Sequence, residues 1–174
     1  MTLFSTIRVH PRPGNRRQGW LAAGPHRLLV ALGRGGIRAN KREGDGGTPR
    51  GRFRLVRLWW RPDRHPRPAT RLPVRRIRPT DAWCEDPSDR RYNRHVRRGA
   101  GTPGDRLWRD DHLYDLIIEL DHNTRPRVAG RGSAVFIHLA REGFRPTAGC
   151  VALKAGDLRH LLARLRKDSR IEIR

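Results

Sequence analysis

The residues able to do chemistry gather in one stretch of this 174-residue chain, positions 133–153. Ser133-Ala134-Val135-Phe136-Ile137 is an apolar run that reads as a buried strand delivering His138 at its end. A polar loop broken by Gly143 and Pro146 follows, and Gly149-Cys150 opens a second apolar stretch. Glycine permits a tight turn, so the Cys150 side chain can project while the Gly149 and Cys150 N–H groups face an oxyanion. A His from one strand beside a Cys from the next suits a thiolate–imidazole pair. On that reading His138 takes the thiol proton as general base and Cys150 becomes a nucleophile near neutral pH.

These two residues need a sheet to hold them, and the surrounding pattern supplies strands. Residues 5–10 alternate, and residues 20–26 and 27–32 read as two strands around Gly24-Pro25. The Gly-rich stretch 40–47 predicts a mobile loop. Thr48-Pro49 then leads into a half-exposed strand over 53–59. Proline density excludes long regular elements from 61–78, and 81–109 is turn-rich. Trp83, Tyr92 and Trp108 nevertheless predict an ordered insertion packed on the sheet and roofing the cleft. The clearest strand covers 113–120, turns at Asp121-His122-Asn123, and takes 133–138 as its partner. Leu158, Leu161, Leu162 and Leu165 fall at helical spacing, predicting one amphipathic helix over 155–166. A final strand covers 170–174. The expectation is one mainly β domain with a single helix after the cysteine and a long Pro-rich insertion.

Composition narrows the function classes. Hydrophobic residues are 36%, with 18 Gly and 13 Pro, which favours short strands over a helical bundle. No apolar run is long enough to span a membrane. The first ten residues carry neither an early charge cluster nor a sustained apolar core, so the protein is expected in the cytoplasm, or in the periplasm if the true start lies upstream. The net charge is +22, and every basic residue except Lys41, Lys154 and Lys167 is Arg. These arginines are spread along the chain and match no compact nucleic-acid signature, which makes a dedicated nucleic-acid protein the weaker reading. Cys84 lacks a His at ligand spacing and reads as a small, half-buried residue, and no cluster has metal spacing. The other seven histidines lack a nucleophile to serve and read mostly as surface groups. No cofactor is expected. Nothing in the sequence fixes an oligomeric state.

The segment Thr147-Ala148-Gly149-Cys150-Val151, with His138 upstream, resembles the catalytic signature of the L,D-transpeptidase family, a His followed by Ser/Thr-x-Gly-Cys-hydrophobic. Gly46-Gly47-Thr48-Pro49-Arg50-Gly51-Arg52-Phe53 resembles the Thr-Pro-x-Gly-x-Phe segment found early in the same domains. The resemblance covers about residues 28–173 and implies a β-sandwich or barrel. It also implies acyl transfer on peptidoglycan stem peptides. Cys150 attacks the carbonyl of the third residue, a diamino acid, and expels D-alanine; an amine of a second stem or muropeptide then takes the acyl group. The resemblance extends weakly to Tyr92 and Asn93, in a segment similar to one that lines the site in relatives, and gives Thr147 a hydrogen bond near the tetrahedral intermediate.

The chain also departs from the pattern. Ala148 stands where a His is usual, Leu139 where Gly or Ser is common, and Ala152 where Arg is common. The loop between His138 and Cys150 is short. With no Arg at 152, Arg141 or Arg145 is the candidate for a substrate carboxylate. The same departures bring forward a hydrolytic alternative, an L,D-carboxypeptidase that trims soluble tetrapeptides with water as acceptor. A basic domain that binds an anionic polymer without catalysis is the non-enzymatic alternative.

Overall fold

A computed structural model of the chain describes residues 1–98 and 104–174. It opens with three antiparallel strands, β1 (Phe4–Arg12), β2 (Asn15–Ala23) and β3 (His26–Ala31). The Gly24-Pro25 turn joins β2 to β3, as the sequence predicts, and β2 reaches back to Asn15 through a mostly solvated first half. The short strands β4 (Ile37–Arg38) and β5 (Thr48–Pro49) pair in parallel and bracket the loop between them. Then come β6 (Gly51–Trp60), β7 (Val74–Arg76), β8 (Asp81–Trp83), β9 (His95–Arg97), β10 (Asp105–Arg106), β11 (Leu116–Leu120) and β12 (Phe136–Leu139). A 3₁₀ turn at Glu142–Phe144 leads to β13 (Val151–Leu153), helix α1 (Ala155–Arg164) and β14 (Leu165–Ile173).

The main sheet runs β11-β12-β13-β3-β2-β1-β14-β6-β7, and β6 also pairs with β11. This closes a barrel and removes edges that would otherwise be left unpaired. Its interior holds Ile7, Val9, Leu21, Val30, Leu58, Ile118, Ile137 and Val151, onto which α1 lays Leu158, Leu161 and Leu162. Each leucine withdrawn from water in this way contributes about 1.5–3 kcal/mol. The helix stops at Arg164, short of the expected 166, because Leu165 takes an extended backbone and starts β14. Leu165 still enters the core, from the strand.

Three further expectations need correction. The strand expected over 113–120 begins only at Leu116. Its first residues form a turn closed by Asp115 N–H to the His112 carbonyl, and the buried Asp115 carboxylate gathers Arg64, His65 and His112. His65 and His112 are thus hydrogen-bonded to a carboxylate, as is His95 to Asp81. The partner strand begins at Phe136, because Ala134 has φ +52 and cannot lie in a ladder. The loop at 40–47 is pinned: Asp45 accepts from Lys41 Nζ and from the N–H groups of Arg42 and Gly47.

The insertion is ordered where it is described, while 99–103 falls outside the described residues. It folds as a second sheet, β10-β8-β9, lying against the outside of the barrel. Trp83 and Leu107 from this side meet Trp59, Ile117 and Phe136 from the barrel, and Cys150 belongs to that cluster. Many arginines have structural partners: Arg61 is buried against Asp63, the Arg109 carbonyl and the Trp108 ring, and Arg75 lies over Trp59. Among the described residues, no helix is long and apolar enough to cross a membrane.

Candidate active site

Parallel pairing of β12 with β13 brings the two key residues together. His138 is opposite Ala152 and Ile137 opposite Val151. Side chains alternate along a strand, so Cys150, two residues before Ala152, stands on the same face as His138. Both are buried, and both line a cleft of about 510 Å³ between the barrel wall and the second sheet. His138 Nδ1 lies 2.9 Å from the Leu139 carbonyl. A carbonyl only accepts, so Nδ1 carries the proton and Nε2 is left as the basic nitrogen. The Tyr114 ring meets the imidazole edge to face at 5.2 Å. This backbone orienter has no sequence signature.

At rest the pair is neutral, which corrects the thiolate expectation. Burial pushes the Cys150 thiol up to about 12; the Phe136 N–H and Lys41 oppose this, and Asp105 and Glu85 add to it. The sulfur lies 3.3 Å from the Ala134 carbonyl, to which it donates, and 3.4 Å from the Phe136 N–H. Among the described residues, no hydrogen bond joins it to the imidazole. Burial likewise pushes His138 down to about 4, helped by Arg109 and Arg141 and opposed by the Leu139 carbonyl. In a site this dry neither charge forms in advance.

The turn before the nucleophile is held from below. Gly149 has φ +145, and a β-carbon there would lie 2.8 Å from the Gly47 carbonyl oxygen, so only glycine fits. Gly47 belongs to the Gly-Thr-Pro segment, whose buried Thr48 hydroxyl accepts from the Gly33 N–H at 2.8 Å. Gly33 in turn bridges Thr147. The two sequence motifs are therefore one structure: the earlier is the floor on which the later turns.

Thr147 does this structural work as well. Its hydroxyl donates to the Cys150 carbonyl at 2.7 Å and accepts from the Gly149 N–H at 3.1 Å. The Thr147 proton and the Gly149 N–H, both expected at an oxyanion, are thus already engaged. Arg141 and Arg145 are exposed and line the cleft.

Tyr92 and Asn93 do not line it. The Asn93 side chain accepts from Trp83 Nε1 and the Ala134 N–H and donates to the His122 and Asn123 carbonyls. Tyr92 donates to Glu43 and accepts from the Gly132 N–H. Both brace the segment whose Ala134 carbonyl receives the thiol.

Arg34, Glu85, Asp105, Arg109 and Tyr114 also line the cleft, and sequence reasoning did not single them out. Three of them sit in the turn-rich insertion, where no periodicity marks a site. Tyr114 Oη donates to Asp105 at 2.6 Å. Loss of water, then the charges of Asp105 and Glu43, raise the Glu85 carboxyl to about 7, although the residue stays exposed at the mouth, where solvent blunts the shift. Among the described residues, no group of three or more His, Cys, Asp or Glu side chains is arranged to hold a metal.

No curated protein and no solved structure matches the chain significantly. The sequence pattern of the L,D-transpeptidase catalytic domain, however, matches residues 6–173, nearly the whole chain, including both motifs and the strands that join them. The chain therefore belongs to the L,D-transpeptidase catalytic domain family, a family of enzymes.

Proposed function

We propose that the protein is a cysteine acyltransferase acting on peptidoglycan stem peptides, with Cys150 as nucleophile and His138 as general base. The observation that carries this reading is the shared cleft: His138 on β12 and Cys150, one residue before β13, line its wall together, with His138 opposite Ala152 in the ladder. The imidazole's tautomer is set by the Leu139 carbonyl.

The sulfur attacks the carbonyl of the diamino acid as its proton passes to His138 Nε2. Because the resting pair is neutral, proton transfer accompanies attack. The Cys150 N–H receives the oxyanion, since the Gly149 N–H is engaged by Thr147. The C–N bond then breaks, His138 protonates the departing D-alanine amine, and a thioester remains on Cys150. An amine from a second stem attacks that thioester, gives its proton to His138, and forms a cross-link as the thiol is restored. Arg141 and Arg145 anchor stem carboxylates at the cleft mouth.

Hydrolysis is the second reading. Ala148 and Ala152 place small side chains on either side of the nucleophile, which weakens the hold on an acceptor strand, and water completes the cycle to a tripeptide. The test is to supply purified tetrapeptide with and without a second muropeptide and to quantify dimers and tripeptides by mass spectrometry. Dimers support transfer, tripeptides alone support hydrolysis, and unaltered tetrapeptide contradicts both.

A further inference from the structure

Lys41 is a buried cation that the proposed steps do not use, in the loop expected to be mobile. It is 7% exposed. Its Nζ donates to Asp45 at 2.7 Å and to the Arg42 carbonyl at 2.9 Å. Its stem runs between two glycines of the site. A β-carbon at Gly132 would lie 3.0 Å from Lys41 Cγ and 3.1 Å from Cε, and one at Gly149 would lie 3.6 Å from Cε. Gly132 has φ +99 and opens the segment that carries Ala134; Gly149 precedes the nucleophile. The same loop also grips that segment through Glu43, whose carboxylate accepts from Ser133 Oγ at 2.8 Å and from Tyr92, and whose N–H donates to the Gly130 carbonyl.

We propose that Lys41 is a positioning residue for the nucleophile. Clamped by Asp45, it wedges the Gly132–Ala134 and Gly149–Cys150 backbones into register and sets a fixed positive charge behind the sulfur. A buried charge is retained only when paired, and a neutral, well-packed residue would fill the space at lower cost. Asp105, Glu85 and Tyr114 line the cleft with Cys150 from the second sheet and the β11 turn, His138 from β12, and Arg34, Arg109, Arg141 and Arg145 from its rim, while Lys41, under the Gly149 turn, adds a charge that favours the thiolate. Asp45 and the half-buried His122 are the titratable groups nearest Lys41. Burial opposes the charge on Asp45, but hydrogen bonds from Lys41, Arg42 and Gly47 prevail and lower its carboxyl to about 2.

This inference rests on Cys150 being the nucleophile, and its test separates the two claims. Iodoacetamide alkylation of Cys150 in the intact chain is followed by mass spectrometry from pH 6 to 10, beside D-alanine release from tetrapeptide. Lys41→Met is expected to slow alkylation roughly tenfold or more at each pH on the rising limb, as befits loss of an opposite charge near the thiolate. Lys41→Arg is expected to stay within about threefold of the parent, because the charge is kept. A merely structural role gives the reverse, since a loosened turn exposes the thiol and speeds alkylation. Unchanged or faster alkylation in a folded Lys41→Met therefore overturns the inference. Should Lys41→Met fail to fold, Lys41→Gln decides, because it keeps a donor for Asp45 and removes the charge: alkylation falling at least threefold in the folded variant supports the inference, and parental or faster rates overturn it. A parent protein that alkylates at Cys150 but releases no D-alanine contradicts the proposed reaction and leaves the alkylation comparison readable.

Discussion

Asn93 Oδ1 accepts the Ala134 N–H at 3.2 Å, and the Ala134 carbonyl on the far side of the same residue accepts the Cys150 thiol at 3.3 Å. One side chain from the insertion thus fixes the backbone kink, φ +52 at Ala134, against which the nucleophile rests. Asn93→Ala removes partners from the buried Trp83 Nε1 and Ala134 N–H and leaves the His122 and Asn123 carbonyls without that donor. The expected cost is about 2–4 kcal/mol in urea unfolding, with a loss of D-alanine release even where the variant is folded. Parental stability would show that these bonds are replaced by water at no cost.

Glu85 gives a pH-specific prediction. Loss of water and the neighbouring acids push its carboxyl up toward about 7, less where solvent reaches it, and its charge on the basic side disfavours the Cys150 thiolate. Glu85→Gln is expected to raise Cys150 alkylation roughly two- to tenfold above pH 7 and to match the parent well below it. A variant that is slower at pH 8 would assign Glu85 a supporting role instead.

Acid stability follows from two histidines. Burial lowers both His122 and His138 from 6.5 to about 4; the Lys41 charge adds to the effect at His122. Between those values the unfolded chain binds protons that the folded chain refuses. Stability is therefore full above pH 6.5 and falls as pH drops toward 4, by up to roughly 3 kcal/mol for each histidine. Glu85, raised in the fold, acts in the opposite sense but is exposed and weaker. Asp45 adds a separate loss between 3.8 and about 2. The check is the urea midpoint as a function of pH, with His122→Gln expected to flatten its slope between 6.5 and 4. A midpoint constant over that range contradicts the buried, neutral state.

What the sequence discloses and what it conceals divide along physical lines. Alternation and helical spacing mark β6, the β2–β3 hairpin and α1, because each buries one face. That His138 and Cys150 meet one cleft is legible because a strand end and a Gly-Cys turn are local features. The Leu139 carbonyl is invisible, since every residue has one. Thr147 inside the motif, and Tyr92 and Asn93 in a segment that resembles a site-lining one, are recognisable as polar residues, but only the fold shows that their hydrogen-bonding groups point into the scaffold. Lys41 and Asp45 look like loop solvation until Gly132 and Gly149 close over the lysine stem.

The most direct measurement is intact-protein and peptide mass spectrometry after exposure to tetrapeptide or to a carbapenem, an acylating class that the family resemblance suggests, run beside D-alanine release. The expected result is an adduct on Cys150 and none on Cys84, no release by Cys150→Ala, and acylation slowed by roughly a hundred- to ten-thousand-fold in His138→Gln. Full turnover by Cys150→Ala, or an adduct confined to Cys84, would contradict it.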